Sequence, residues 1–311
     1  MKRILLISIT MALALGFGAI TVVAAEFSDW STPVNLGPVV NSPYLDSCVA
    51  ISKNGLSLFF SSTRQNPGTP ANRDLYVTQR ASTDAAWGTP VPITALNTTA
   101  WESCPALSLD EHRLYFTSPR APGCGGQDIW VARRQDRRDD LGWGEPENLG
   151  CESDGYFNTP YSELTPAFFE DERGKVLMYF SSSRPGSRGW DFYQSEMRAD
   201  DTFGPATPVA ELNSEFVDQG IAVRRDGLEV IFLSNRENPD SLDFFKATRA
   251  STADPWSDIV PLPTLGDPAH GQGRISLSFD GTELYFTSWL TESGTHPDLF
   301  VARREKVRGR K

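Results

Sequence analysis

The chain has 311 residues, and its 40 Asp and Glu outweigh 29 Lys and Arg to give a formal net charge of −11 at pH 7. Nucleic acid is therefore an unfavourable partner, because binding the phosphate backbone requires a concentration of positive charge. The one basic concentration, residues 305–311, is expected to be a solvated terminal tail.

The N-terminus carries the pattern of a secretory signal peptide. Basic residues at positions 2 and 3 precede an apolar run over residues 4–23, and two alanines follow. This predicts a signal peptide at residues 1–25, an exported protein that is periplasmic or secreted, and no membrane span in the mature chain. An uncleaved anchor is the alternative, which the polar and acidic residues from Glu26 onward disfavour. Cleavage leaves 27 Lys and Arg against 40 Asp and Glu, a net charge near −13.

The rest of the chain, residues 26–304, is predicted to be one all-β domain made of five copies of one unit. No linker divides it, and Gly, Pro and Asn recur between short runs rich in Phe, Tyr, Val and Leu. Each unit has a hairpin such as "CPALSLDEHRLYFTS", then a strand that opens with Asp. Those aspartates, spaced 54, 63, 52 and 55 residues apart, are Asp74, Asp128, Asp191, Asp243 and Asp298. A fixed period of this length indicates a solenoid or a propeller.

Each unit is predicted to be a four-stranded antiparallel blade, so the fold class is an all-β, five-bladed β-propeller. The last unit ends without a fourth strand, whereas "WSTPVNLG" near the N-terminus matches the fourth-strand segment "WGEPENLG". We therefore expect the N-terminal segment to complete the last blade and close the circle of blades. The predicted blades span about 46–97, 102–150, 163–213, 218–262, and 271–304 together with 27–37.

The repeated pattern S-x-D-G-x-x-L-Y-F-x-S-x-R, then D-[IL]-[YW]-V, then W-x-x-P-x-N-L-G, resembles the WD40-like (PD40) repeats of exported bacterial proteins. That class is found in the propeller domain of TolB. The resemblance implies a propeller that serves as a binding or scaffolding module, and it supplies no catalytic residue. A departure is the blade number, since propellers of the TolB type have six blades and five copies are counted here.

Four of the connectors that lead into a new unit share a pattern: Asn, then an aromatic, then an acid five residues after the Asn. The aromatic and acid pairs are Tyr44 and Asp46, Trp101 and Glu102, Tyr161 and Glu163, and Phe216 and Asp218. One interpretation is purely structural, with Asn and Ser/Thr capping the turns and the aromatic packing on its blade. The other is a ligand site at the mouth of the central channel, to which the long third connector would add Tyr156 and Phe157.

The main functional interpretation is a binding module for a protein, a peptide or a glycan at this mouth. The alternative is a glycoside hydrolase using Asp46, Glu102, Glu163 and Asp218, because such enzymes need two carboxyl groups about 5 to 9.5 Å apart. A third possibility is a structural circle of acids stabilised by a cation. No other cofactor or metal is expected, since zinc spacing, a nucleophile elbow and nucleotide-binding glycine loops are missing from the sequence. The oligomeric state is left open.

Two further features carry structural predictions. An Arg ends the second strand of four units and is expected to pair with the Asp that opens the third strand. The arginines are Arg64, Arg120, Arg184 and Arg236, and blade five has Leu290 instead. Four cysteines in an exported protein suggest disulfides, and Cys124–Cys151 is the preferred pair. Cys48–Cys104 is less favoured, because neighbouring inner strands are expected beyond the ~7 Å Cα limit.

Overall fold

The computed structural model describes residues 26–64, 72–154, 157–266, 271–289 and 296–307. Within these ranges the protein is almost entirely β, with one 3-10 turn at Glu152–Asp154. The predicted signal peptide, Tyr156 and Leu290 lie outside the described residues. None of the described helical structure is long and apolar enough to cross a membrane.

Five four-stranded antiparallel sheets form the blades, and in each of the first four the strands follow one another in chain order. Blade one contains β3 (Asp46–Ile51), β4 (Ser57–Ser62), β5 (Asp74–Gln79) and β6 (Val91–Pro92). Blade two contains β7 (Ser103–Leu107), β8 (Arg113–Ser118), β9 (Asp128–Arg133) and β10 (Glu147–Asn148). Blade three contains β11 (Glu163–Glu170), β12 (Val176–Ser182), β13 (Asp191–Glu196) and β14 (Thr207–Pro208). Blade four contains β15 (Asp218–Val223), β16 (Glu229–Ser234), β17 (Asp243–Thr248) and β18 (Ser257–Pro261).

Blade five is closed by the N-terminal segment, as the sequence predicts. Its strands are β19 (Gln272–Leu277), β20 (Glu283–Ser288), β21 (Asp298–Arg303) and β2 (Val34–Asn35). A second, two-stranded sheet joins β1 (Glu26–Phe27) to β22 (Lys306–Val307). Two strand pairs, β2 with β21 and β1 with β22, therefore join the N-terminal and C-terminal segments of the described residues. The start of the predicted terminal tail is a paired strand.

The core lies between neighbouring blades, because each sheet packs one face against the blade before it and the other face against the blade after it. Phe59, Phe116 and Trp130 are examples, packed in one apolar cluster between blades one and two. Adjacent pairs of large aromatic side chains in β4, β8, β12 and β20, and Phe232 in β16, fill these wedge-shaped spaces, and all of them are buried. Burial of such side chains removes about 150–250 Å² of each from water, so it dominates the stabilisation of the fold.

A repeated arginine–tryptophan stack fixes the outer strand of four blades. In blade two the guanidinium carbon of Arg134 lies 4.4 Å from the ring centre of Trp143, and its Nε donates to the carbonyl of Glu111 in the first hairpin. One side chain thus connects three strands of its blade, by a cation–π contact and a hydrogen bond. The equivalent stacks are Arg80 on Trp87, Arg249 on Trp256, and Arg304 on Trp30.

Every inner strand contains a β-bulge at the same repeat position, two residues after the position of the connector acid. The bulged residue has a left-handed backbone conformation, with φ between 39° and 67°. These residues are Cys48, Cys104, Thr165, Gly220 and Arg274. A bulge bends its strand and redirects a side chain. Four of the five line one small cavity of about 20 Å³ at the propeller axis, so the channel is nearly closed at this level.

Both possible disulfides are present. The preferred pair, Cys124–Cys151, is confirmed, with its Cα atoms 5.4 Å apart, and it ties a hairpin of blade two to the connector that leaves the blade. The expectation that Cys48 and Cys104 lie too far apart is wrong, since their Cα atoms are only 4.4 Å apart. The bulges in the two inner strands bring these residues together at the axis. Two disulfides fit an exported protein.

Candidate functional site: the channel mouth

The connector asparagines attach each connector to the blade before it. Asn158 accepts a hydrogen bond from the backbone N–H of Ile129 at 2.9 Å and donates one to the carbonyl of Ile129 at 3.0 Å. The side-chain amide thus pairs with the third strand as another strand would. The same pair of hydrogen bonds joins Asn41 to Leu299, Asn97 to Leu75 and Asn213 to Phe192.

The four connector acids are fully buried, each with 0% exposure. Glu163 shows the arrangement: it accepts bonds from the Thr159 backbone N–H at 3.0 Å and hydroxyl at 2.6 Å. The Ser182 hydroxyl donates at 2.9 Å, and the Arg184 guanidinium lies at 3.3 Å. Every oxygen of the carboxylate has partners, which is what a buried charge requires.

The connector hydrogen bonds and the arginine pair recur in three other blades, with arginine–carboxylate distances of 2.6 to 2.8 Å. The pairs are Arg64 with Asp46, Arg120 with Glu102, and Arg236 with Asp218. The prediction that these arginines pair with the third-strand aspartates is therefore wrong, since their carboxylate partner is the inner-strand acid. The second strand lies between the first and third, so its end residue can reach either neighbour.

Two of the third-strand aspartates are held by amide groups instead. Asp128 accepts bonds from the Cys124 backbone N–H at 2.6 Å and from the Asn148 side chain at 2.8 Å. Asp298 accepts a bond from the Asn35 side chain at 2.8 Å, so the N-terminal closing strand also contributes to a hairpin. These contacts connect the outer strand, the third strand and the hairpin within one blade.

Burial raises the pKa of Glu163, against the opposing effects of the Thr159 hydrogen bonds and the Arg184 charge. Burial also raises the pKa of Asp191 and Asp298, and in each case an inner-strand acid of the next blade adds to the effect. Those neighbours are Asp218 and Asp46. The nearby carboxylate of the next blade thus disfavours ionisation of Asp191 and of Asp298 at these blade junctions.

The expectation that the acids line a ligand surface is corrected by this geometry. Asp46, Glu102, Glu163 and Asp218 lie beneath the connectors, where their arginines neutralise them. Within the described ranges, no group of three His, Cys, Asp or Glu side chains is arranged to hold a metal ion. The repeat position of the acids was visible in the sequence, but their burial depended on the connector folding over them.

The connector aromatics, in contrast, are exposed. We call the following five side chains the mouth surface: Tyr44 (42% exposed), Trp101 (54%), Tyr161 (44%), Phe216 (39%) and Trp289 (39%). Each blade supplies one, beside the start of an inner strand. Phe157, expected beside them, is instead buried and packs against Phe180 at 4.5 Å between ring centres.

Trp289 was not predicted, because it occupies a different repeat position from the other four. It follows β20 directly and packs over the start of β19. A Cβ atom on Gly271 or Gly273 would lie 3.6 or 3.5 Å from its ring, so the indole lies directly over this backbone. The fifth connector has no aromatic residue in its sequence, and Trp289 places one at the same surface from the adjacent strand end.

Solved structures with the same fold include several carbohydrate-active enzymes. The α-L-arabinofuranosidase from Lactobacillus brevis is 15% identical, with a TM-score of 0.59 over 85% of this chain and 92% of its own. The endo-arabinase from Bacteroides thetaiotaomicron is 14% identical, with a TM-score of 0.56 over 91% and 100% of the two chains.

A protein described as putative TolB from Agrobacterium tumefaciens is 14% identical, with a TM-score of 0.49 over 89% of this chain and 91% of its own. No protein-family profile and no curated protein matches the chain. At these identities the two enzyme structures support the fold alone, and no comparison assigns the chain to a family.

Proposed function

We propose that this protein is an exported glycan-binding propeller whose ligand lies on the mouth surface. The observation that carries the proposal is the set of five exposed aromatic side chains, one from each blade, above acids that are buried and neutralised. Each of these aromatic side chains keeps 39 to 54% of its surface exposed, beyond what packing on its own blade covers. Its flat apolar face is available to pack against the C–H face of a sugar, while polar connectors surround it.

A glycan fits this surface better than a folded protein does. The five aromatics are separate side chains on a polar background, whereas the core of a protein interface is contiguous and depleted of charged groups. The axis beneath them is nearly closed, so a ligand would lie across the mouth instead of entering the channel. An extended oligosaccharide could contact two or three aromatics at once, and a peptide ligand remains the competing outcome of the test.

Screening the purified mature protein on a glycan array, with calorimetric titration of the best ligand, tests the proposal. We expect Trp101→Ala and Tyr161→Ala each to weaken binding at least tenfold without changing the melting temperature. Leu141→Ala is the matched control, because Leu141 is 49% exposed and lies outside the mouth surface. Unchanged binding in both aromatic variants, or binding of peptides with no binding of glycans, would contradict the proposal.

Glycoside hydrolysis is the second candidate function. It is favoured by the fold shared with an endo-arabinase and an α-L-arabinofuranosidase and by the raised pKa of Glu163, since a general acid must be protonated near neutral pH. The burial of Glu163 and its ion pair with Arg184 oppose this role. Release of nitrophenol from nitrophenyl arabinofuranosides, abolished by Glu163→Gln, would establish hydrolysis and overturn a purely binding role.

The export part of the proposal is supported by the two disulfides and by the signal-peptide pattern of residues 1–25. We expect expression of the full chain in a bacterium to give a periplasmic or secreted product whose N-terminus is Glu26. N-terminal sequencing of that product checks the cleavage site, and a cytoplasmic, uncleaved chain would contradict it.

A further inference from the structure

A wide cleft separates blade five from blade one on the face of the propeller opposite the mouth surface. It encloses about 1080 Å³, against about 20 Å³ for the cavity at the axis. Residues from four parts of the chain line it: the N-terminal segment 28–36, the first hairpin turn 52–55 of blade one, the loop 80–87 of the same blade, and segments 278–283 and 301–305 of blade five. The cleft therefore lies at the junction where the circle of blades closes.

The equivalent space between blades one and two is closed by a side chain of the following blade. Asp140 lies in the loop before the outer strand of blade two, three residues before Trp143. Its carboxylate accepts a hydrogen bond from the Ser57 hydroxyl of blade one at 2.5 Å and another from the Gln79 side-chain amide at 2.7 Å. An acid at this loop position thus reaches the preceding blade when that blade offers it donors.

Between blades four and five the same position is taken by Phe27, three residues before Trp30. The ring centre of Phe27 lies 3.9 Å from the guanidinium carbon of Arg304 and 5.3 Å from that of Arg224 in blade four. A protein side chain therefore fills the space at both junctions, and its chemistry matches the groups that it meets there.

Asp84 takes this position in blade one, three residues before Trp87, but it does not close the cleft. The Asp84 side chain is exposed. Among the described residues, no hydrogen bond or ion pair joins residues 81–86 to blade five. The loop that closes the junction in blade two is thus left standing apart from its neighbour in blade one.

The reason lies in the residue that faces this loop. Blade five has Glu283 at the first position of its second strand, where blade one has Ser57. The Glu283 carboxylate accepts hydrogen bonds from the Arg303 guanidinium at 2.8 Å and the Tyr285 hydroxyl at 2.9 Å, so it has no donor to offer a second carboxylate. Because juxtaposed like charges are unfavourable, Asp84 stays in solvent and the cleft stays open.

Three acids that line the cleft are exposed and form no ion pair within the part of the chain that the structure describes. They are Asp29, Asp84 and Glu305. Arg80 and Arg303 both pair with Glu283, at 3.3 and 2.8 Å, and Lys53 places its Nζ 4.5 Å from the ring centre of Phe279. The charge left unpaired around the cleft is therefore mainly negative, which is complementary to a basic ligand.

We propose that this cleft binds an extended segment of a partner protein that carries a lysine or an arginine. The basic side chain gives Asp84 the donors that blade one gives to Asp140. A protein segment fits because side chains of the protein itself fill the equivalent spaces, and because the cleft exceeds the ~300–1,000 Å³ of typical small-molecule sites. The half-buried ring of Trp87 adds an apolar contact. The cleft and the mouth surface lie on opposite faces, so this inference is independent of glycan binding.

The first test follows the fluorescence anisotropy of a rhodamine-labelled octapeptide of alternating Gly and Lys as the purified mature protein is added. The comparison peptide has Gln in place of every Lys. We expect the Lys peptide to bind at least tenfold more tightly, because only its side chains can pair with the exposed acids. Equal affinities, or no binding of the Lys peptide, would overturn the proposal and leave the glycan-binding function intact.

The second test separates the cleft from general attraction to an acidic protein. Asp84→Asn should weaken binding of the Lys peptide at least fivefold. The matched control is Asp254→Asn, which removes one charge from the equivalent loop of blade four, where Asp254 is exposed and lies outside the cleft. An equal loss in the two variants would show attraction by net charge alone and would overturn the assignment.

The third test blocks the cleft without changing its charge. Ala85 lines the cleft, so Ala85→Trp should weaken binding of the Lys peptide at least fivefold, with the melting temperature and glycan binding unchanged. Unchanged peptide binding in this variant would place the peptide elsewhere and refute the proposal. Loss of glycan binding in place of peptide binding would make the cleft a sugar site and would refute it as well.

Discussion

The buried Arg120–Glu102 pair should be strongly coupled, and replacing both partners should be far less damaging than replacing one. Glu102 is 0% exposed, and its oxygen lies 2.8 Å from the guanidinium of Arg120, whose side chain is 10% exposed. Blade five shows that the propeller tolerates loss of both, since it carries Gln272 at the acid position and Leu290 at the arginine position. Replacing both partners of blade two would copy that arrangement.

Arg120→Leu alone leaves an uncompensated buried carboxylate, which costs about 3–5 kcal/mol. It also removes a hydrogen bond to the Leu96 carbonyl, worth about 1 kcal/mol. The leucine keeps part of the contact with Phe116, so we expect a loss of about 4 kcal/mol in the free energy of unfolding. Adding Glu102→Gln removes the stranded charge and should reduce the loss to about 1–2 kcal/mol, because apolar or neutral replacements of buried pairs are often nearly neutral.

Urea unfolding followed by tryptophan fluorescence at pH 7 measures the four species of this double-mutant cycle. The matched control is Arg133→Leu, which breaks an exposed pair with Glu147 and should change stability by under about 1 kcal/mol. A double variant as unstable as Arg120→Leu, or a control as damaging as Arg120→Leu, would refute the view that the pair is a structural unit.

Three other outcomes are expected. Trp143→Ala should cost about 3–5 kcal/mol in thermal unfolding, since it empties a buried site and removes the stack on the blade-two arginine; a loss below about 1 kcal/mol would contradict the role of the stack. The pKa of Asp191 is raised by burial and by the charge of Asp218, so the folded state binds this proton more tightly than the unfolded state. Its stabilisation is complete below the unfolded pKa of about 4 and is lost as pH rises through the folded pKa. Asp191→Asn should therefore flatten the fall of the urea midpoint above pH 4, and an unchanged slope would refute this. Replacing Cys124 and Cys151 by Ser should cost about 3–4 kcal/mol, by the loop-closure entropy of a crosslink spanning 27 residues; calorimetry showing no change would exclude that contribution.

The propeller and its closure could be predicted because both depend on local patterns that recur along the chain. The aspartates that open β5, β9, β13, β17 and β21 set the period, and "WSTPVNLG" supplies the strand that the last unit lacks. Repetition also revealed the connector acids and aromatics. A residue type that recurs at one position of the repeat indicates a shared local role in the blades that carry it.

The partners within a blade were harder to predict. The arginine at the end of the second strand has a carboxylate on each side, and the sequence alone favoured the third-strand aspartate. One signal for the actual partner was present: blade five loses the arginine and the inner-strand acid together, at Leu290 and Gln272, but keeps Asp298. Joint loss of two residues in one repeat indicates that they form one unit.

Only the tertiary structure determined what faces the axis. The left-handed bulges at Cys48, Cys104 and Arg274 bring distant strands together and join two cysteines. The repeat pattern records which residues share a position, and so it determined the blades, their number and their closure. It does not record the direction in which a bulged strand turns its side chains, because that direction depends on five inner strands packing around a common axis.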